Sequence, residues 1–118
     1  MKKEERDRER LVEKLEDCEL DGVVKDEKAK EIFRRAVDFG KEVGDHRIVS
    51  RALFGLAVRS SDYDTKRDYF KKAVEYSERG DDSYHAEITR SRIRQLDEKY
   101  DSKWYNVLFL GRAKSEAA

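Results

Sequence analysis

Apolar side chains recur every three or four residues through most of this 118-residue chain, and no long stretch alternates apolar and polar positions. The first spacing is typical of helices with one buried stripe, whereas alternation would indicate strands. We therefore predict an all-α fold. Because the stretches between the helices are short, consecutive helices are expected to be antiparallel neighbours. The six predicted helices span 3–21, 26–43, 46–61, 65–79, 83–100 and 102–116.

The third predicted helix is apolar over most of its circumference. Val49, Leu53 and Leu56 fall on more than one stripe of the segment 46–61. A helix with this pattern is covered by neighbours on two sides. This helix is therefore expected at the centre of the fold.

The ends of the predicted helices carry the residues that usually terminate helices. The chain has no proline, so glycine and short polar side chains must mark the turns. Glycine ends a helix by adopting a positive φ at low cost, and Asp, Ser or Thr accepts hydrogen bonds from the first free N–H groups. The predicted C-terminal glycines are Gly22, Gly44 and Gly80, and the predicted N-terminal caps are Asp26, Asp45, Thr65 in a capping box with Asp68, and Asp101 or Ser102.

One stretch of the chain occurs twice. Residues 31–45 (EIFRRAVDFGKEVGD) and 68–82 (DYFKKAVEYSERGDD) keep the chemical type of nearly every position, with an offset of 37 residues. A fixed period in this range is typical of stacked helical repeats. A further step of 37 residues from the second copy leads to Val107 and Leu110, a degenerate third copy in the sixth predicted helix.

Composition and charge narrow the class of protein. The chain has 27 basic and 27 acidic residues, so it lacks the basic excess usual in nucleic-acid-binding proteins. A charged fraction of 46% with 37% hydrophobic residues suits exposed helices that each bury one stripe. We expect a single helical domain over 1–118, frayed in its charged start 1–9 and its tail 112–118.

Cysteine content and hydropathy indicate the cellular compartment in which the protein is expected. Cys18 is the single cysteine, so no intramolecular disulfide can form, and a reducing cytoplasm is expected. The first ten residues lack the apolar segment of a signal peptide. No run approaches the ~20 apolar residues of a membrane span, so no membrane partner is expected.

The repeated stretch resembles tetratricopeptide repeats. Ala29, Phe33 and Ala36 match the small–aromatic–small pattern of the second helix of that family's helix pairs, and Phe70 and Ala73 match it again. The period of 37 departs from the family's roughly 34 residues. The resemblance implies three antiparallel helix pairs stacked as a short α-solenoid, acting as a protein–protein interaction scaffold or adaptor.

The resemblance also implies a groove lined by the first helix of each pair. Three arginines would make that groove basic, and arginine forks pair well with carboxylates, so the implied ligand is an acidic or C-terminal peptide segment. Alternatively, these arginines are solvated and paired with nearby acids. The family's asparagine-based clamp for a C-terminal carboxylate is not expected, because Asn106 is the single asparagine and lies elsewhere. The implied groove residues are Arg51, Val58, Arg59, Ile88, Arg92 opposite Gly55, and Gln95 with Leu96.

The stretch from Trp104 to Leu110 is the most apolar in the chain. It has three interpretations: it seals the end of the stack, forms a homodimer contact, or occupies the groove in place of a ligand. The rival function is accordingly a structural homo-oligomer held together through the fifth and sixth helices. The residues expected in a sealing or dimer contact are Trp104, Tyr105, Leu108 and Phe109.

No pattern in the chain indicates catalysis, a cofactor or a small-molecule substrate. There is no serine elbow, glycine-rich phosphate loop or HExxH motif. His46 and His85 are 39 residues apart and lack the further ligands that a metal site needs, so no metal is expected. Cys18 lies on an apolar stripe and is expected to be buried packing.

Overall fold

The computed structural model describes residues 2–19 and 24–105, with side chains as far as Asp101. These residues form five helices and no strand, which confirms the all-α prediction. The second predicted helix has the predicted bounds, the third ends two residues earlier, the fourth begins two residues earlier and the fifth ends five residues later. The first begins as predicted, and its predicted end at 21 lies outside the described residues. The helices are α1 Lys3–Glu19, α2 Asp26–Val43, α3 His46–Arg59, α4 Tyr63–Arg79 and α5 Ser83–Tyr105.

Consecutive helices from α2 to α5 run in opposite directions. In each neighbouring pair the end of one helix contacts the beginning of the next, and residues farther from the turn meet in reverse order. These contacts are Gly40–Val49 and Phe33–Gly55 between α2 and α3, His46–Tyr76 and Phe54–Phe70 between α3 and α4, and Ser77–His85 and Tyr63–Asp97 between α4 and α5.

The sequence repeat is also a repeat of backbone structure. At both Asp45 and Asp82 the backbone N–H donates to the carbonyl five residues earlier, at 2.8 Å in each case. Both carboxylates accept from the N–H three residues later and so cap α3 and α5. The unit formed by α2, its turn and α3 therefore recurs as α4, its turn and α5.

The repeated motif and the centre of α3 form the core, as the sequence predicted. Phe33, Ala36, Phe70 and Ala73 are all buried. More than half of α3 is buried between α2 and α4, which confirms its central place. The buried residues of α3 are Ile48, Val49, Ser50, Ala52, Leu53, Gly55, Leu56 and Ala57.

The two units differ at a close contact between their two helices. A Cβ on Gly40 would lie 2.6 Å from Cγ2 of Val49, so only glycine fits against that valine. At the equivalent places the second unit has Ser77 and Ala86, both buried. A larger residue on one helix is thus matched by a smaller residue on the other.

Two of the predicted N-terminal caps are wrong. The residue at the start of α2 is Lys25, which makes no side-chain capping bond, while Asp26 pairs with Arg59 instead. Helix α4 starts two residues before the predicted position and is capped by Asp62, whose carboxylate accepts from both N and Oγ1 of Thr65. At α2 the predicted cap pairs with a residue of another helix, and at α4 an earlier residue is the cap.

The other predicted helix ends have mixed outcomes. Gly44 ends α2 with φ of 73°, and Asp45 caps α3, both as predicted. Gly80 follows α4, but the left-handed position is taken by Asp81, with φ of 55°. Gly22 lies outside the described residues.

The predicted break between a fifth and a sixth helix at Asp101 or Ser102 is wrong, because α5 continues through both to Tyr105. Helix α3 ends where the Ser60 hydroxyl donates to the carbonyl of Leu56. The residue 37 positions later is Asp97, which has no hydroxyl to donate and instead accepts from α4. Helix α5 continues past that point. The predicted third pair needs a helix that includes 106–118, which lies outside the described residues.

Candidate functional site

A cleft of about 580 Å³ lies between the end of α1, α3 and the first half of α5. We call it the central cleft. It brings together all of the predicted groove residues except Gln95 and Leu96, which do not line it. The lining residues are Cys18, Glu19, Phe33, Arg51, Phe54, Gly55, Val58, Arg59, Asp82, His85, Ile88 and Arg92.

Equivalent positions of three helices line the central cleft. Cys18 on α1, Gly55 on α3 and Arg92 on α5 are separated by successive intervals of 37 residues. Gly55 leaves the middle of this row without a side chain, and the ring of Phe33 fills the space below: a Cβ on Gly55 would lie 2.4 Å from that ring. The deepest part of the cleft therefore has an aromatic floor.

The middle of the central cleft is apolar and open to solvent. Val58 on α3 is 49% exposed and Ile88 on α5 is 37% exposed, although both are large apolar residues. Phe54 also lines the cleft, and its ring contacts those of Phe70 and His85 edge-on at centroid distances of 5.3 and 5.4 Å. Covering such a surface with an apolar group of a ligand lowers the free energy, because apolar area is removed from water.

Arg51 lies at one end of the central cleft and is engaged by an acid of α1. Its Nε and Nη2 donate to the two carboxylate oxygens of Glu19 at 3.1 and 3.0 Å. This two-pronged geometry is the arrangement by which guanidinium groups bind carboxylates specifically. The side chains remain 32% and 41% exposed, so solvent reaches the pair.

Arg59 has a structural role. Its side chain is 13% exposed. It donates to the carbonyls of Cys18 and Val24 at 2.9 and 3.1 Å and to Asp26 at 2.5 Å. These bonds connect the end of α1 and the start of α2 to α3. The alternative that the predicted groove arginines pair with nearby acids therefore holds for Arg59, and for Arg51 in this state.

Arg92 differs from the other two arginines. It is exposed, it lines the central cleft from α5, and it makes no ion pair with any residue that the structure describes. Ile88 lies one helical turn before it on the same face of α5. An unpaired cation thus stands beside an exposed apolar side chain.

His85 shapes the end of the cleft near Arg51. Its Nδ1 lies 2.8 Å from Oγ of the buried Ser77. Burial lowers the pKa of His85 below its ordinary value, against the opposing influence of Asp82. Burial also raises the pKa of the Cys18 thiol, which favours the uncharged form.

Sequence reasoning missed the contribution of α1 to the site. Cys18 lies 37 residues before Gly55, so the sequence repeat could have predicted that α1 contributes to the cleft. Nothing in the sequence pointed to Glu19 as the partner of Arg51. Trp104 and Tyr105 end α5, and their side chains, like all of Leu108 and Phe109, lie outside the described residues.

Comparison of the chain with protein-family models, curated proteins and solved structures finds no match. Within the described residues, no helix has both the length and the apolar character needed to cross a bilayer. In the same part of the chain no three His, Cys, Asp or Glu side chains cluster as ligands for a metal ion. The central cleft is therefore the observation from which a function can be argued.

Proposed function

We propose that this chain is a protein–protein interaction module, a scaffold or adaptor without catalytic activity, that binds a peptide or helix of another protein in the central cleft. The observation that carries the proposal is the combination of exposed Val58 and Ile88 with unpaired Arg92 around one cavity. An apolar centre with a few charged groups at its edge is the usual composition of a recognition site.

The architecture we propose is a short solenoid of the tetratricopeptide type. Two observations support it: the α2–α3 unit recurs as α4–α5, and positions 37 residues apart line the same cleft. Stacked helix pairs present equivalent faces side by side, and proteins built in this way use the resulting surface to bind other proteins.

The proposed ligand is an acidic segment with an apolar side chain. Val58, Ile88 and the aromatic floor would take the apolar group. Arg92 would take a carboxylate, because a guanidinium without a partner gains a charge-assisted hydrogen bond from it. The charges at the cleft that belong to Glu19 and Asp82 already have partners within the chain.

A peptide selection tests this function. A random peptide library would be selected on the purified protein, and the enriched peptides measured by fluorescence anisotropy against the wild type and two variants. We expect enriched peptides to be acidic and Arg92→Glu to weaken them by about tenfold, or ~1.4 kcal/mol. Arg34→Glu is the matched control, since Arg34 is exposed on α2 away from the cleft, and should change affinity less than about twofold. Equal effects of the two variants would contradict the assignment of the site.

The alternative is a structural homo-oligomer with its contact through the C-terminal helices. One observation favours it: Tyr84 and Tyr100 of α5 are large side chains exposed by 77% and 39%. Light scattering over a wide concentration range separates the two functions. A mass of 14.0 kDa at every concentration supports the interaction module, whereas a concentration-dependent dimer supports the oligomer.

A further inference from the structure

The ion pair between Arg51 and Glu19 has the same geometry as a contact between an arginine and a carboxylate of a bound ligand, although both residues belong to this chain. Glu19 presents both carboxylate oxygens to one guanidinium, as an acidic ligand would. Arg59 is not available to a carboxylate of a ligand, because its side chain is 13% exposed and two of its hydrogen bonds go to backbone carbonyls. Exchange of one carboxylate for another at Arg51 would leave the rest of the protein unchanged.

The pair is also weak enough to exchange. Both side chains are partly exposed, and solvent-exposed ion pairs usually contribute little to stability. The side chain of Glu19 can turn away from Arg51 by a change of rotamer, which breaks no backbone hydrogen bond of α1.

Arg51 and Arg92 line the central cleft from different helices, α3 and α5. In the 37-residue register Arg51 is equivalent to Ile88, and Arg92, one turn beyond Ile88, is equivalent to Gly55. Both guanidinium groups therefore belong to one cleft, whose exposed apolar residues are Val58 and Ile88. A ligand that contacts both arginines has two carboxylates and an apolar group that covers these residues.

We propose that Arg51 is a second carboxylate-binding position of the central cleft and that Glu19 occupies it in the free protein. A ligand with two acidic residues and an apolar one binds by displacing Glu19, which excludes weaker acidic ligands from this position. This inference rests on the proposed function, since it describes how the same cleft selects its ligand.

The displacement makes a quantitative prediction. A competitor that is tethered beside its site lowers the affinity of an external ligand, because the ligand can bind only during the fraction of time that the site is free. An exposed pair of this kind corresponds to a factor of about two to five. Removing the charge of Glu19 while keeping its size should therefore raise the affinity for an acidic peptide by about two- to fivefold.

The test uses a labelled synthetic peptide that contains two Glu residues and a Leu, together with two analogues that each have one Glu replaced by Gln. Affinities are measured by fluorescence anisotropy for the wild type, Glu19→Gln, Arg51→Gln and the double variant. Glu16→Gln is the matched control, because Glu16 is exposed on α1 and does not line the cleft. Glu19→Gln should bind more tightly, Glu16→Gln should not change, and the gain should vanish when Arg51 is also replaced.

The outcomes separate this inference from the function on which it rests. Peptide binding that depends on Arg92 but is unchanged or weakened in Glu19→Gln would overturn the displacement and leave the interaction module standing. A gain in Glu19→Gln that persists without Arg51 would also overturn it. Absence of binding by every variant, including Glu19→Gln, would overturn both proposals. The two Gln analogues report whether the gain is confined to one carboxylate of the peptide, as displacement at a single arginine requires.

Discussion

Single positions determine how closely the helices of this chain approach. In the first unit Gly40 makes room for Val49, and in the second unit Ser77 is matched by Ala86. Both arrangements keep the interface filled, which protein interiors require at nearly every position. The repeated backbone thus tolerates different pairs of residues as long as their combined volume is similar.

This compensation can be tested by exchange between the units. Gly40→Ser should destabilise the protein by about 1–3 kcal/mol, because its side chain would collide with Val49. Val49→Ala alone should cost about 1–2.5 kcal/mol through the cavity it leaves. The double variant has the pair found in the second unit and should cost clearly less than the sum. Urea unfolding of all four proteins provides the measurement, and strict additivity would contradict the account.

Residue types predicted the core better than they predicted the polar contacts. Phe33 and Phe70 are buried because spacing alone places them on the inner face of their helices. Asp26 could equally have capped its helix or paired with a distant base. Its contact with Arg59 depends on how α3 crosses α2, which no local pattern contains. The same holds for Glu19 and Arg51, which are 32 residues apart.

At the scale of the elements, the length of α5 distinguishes it from α3. The carboxylate of Asp97 accepts from Tyr63 Oη at 2.6 Å and from Nε and Nη2 of Arg67 at 3.0 and 3.3 Å. The ring of Tyr63 also stacks on Tyr100 at a centroid distance of 4.0 Å. These contacts attach α5 to the beginning of α4, beyond the point at which α3 has ended.

The Asp97 contacts predict a pH dependence of stability. The Arg67 and Tyr63 hydrogen bonds hold the pKa of Asp97 below its ordinary value of 3.8. A lowered folded-state pKa means that the stabilisation is present above 3.8 and is lost as the pH falls through the folded-state pKa. Asp97→Asn should therefore be less stable than the wild type at about pH 7, and the difference should shrink at about pH 2.

Denaturant unfolding of the two proteins at both pH values measures this effect. Asp101→Asn is a suitable control, because Asp101 is an exposed acid one turn later on α5 and makes no ion pair with a described residue. A difference between wild type and Asp97→Asn that stays constant with pH would show that the carboxylate charge does not matter.

The element pattern was predictable where turns contain strong signals. Gly44 followed by Asp45 marked the turn between α2 and α3 correctly. The end of α5 was not predictable in this way, because Asp101 and Ser102 are good caps but do not break a helix. Four residues before Asp101, Asp97 contacts α4, and no local pattern in the sequence contains that contact.

At the scale of the whole molecule, the repeat accounts for the position of the cleft. Equivalent faces of α1, α3 and α5 meet around Gly55, and the packing motif of α2 supplies the floor through Phe33. The repeated motif is therefore internal, while α3 and α5 contribute both buried residues and the exposed side chains that line the cleft.

A second groove offers a natural comparison for the location of binding. It has a volume of about 480 Å³ and lies between α2 and α4, where Val37, Tyr69 and Tyr76 surround Leu53. Its position on the packing helices places it away from Arg51 and Arg92. The central cleft and this second groove are lined by different residues, so a residue-specific measurement in solution distinguishes binding at one from binding at the other.

Backbone amide chemical-shift mapping with an enriched acidic peptide tests the central claim most directly. We predict that the largest shifts fall on 51–59 of α3 and 85–92 of α5, with a smaller group at Cys18 and Glu19. The same titration of Arg92→Glu should shift these amides only at higher peptide concentration, because its affinity is lower. Shifts concentrated on Val37, Tyr69 and Tyr76, or spread evenly over all five helices, would contradict the assignment of the central cleft as the binding site.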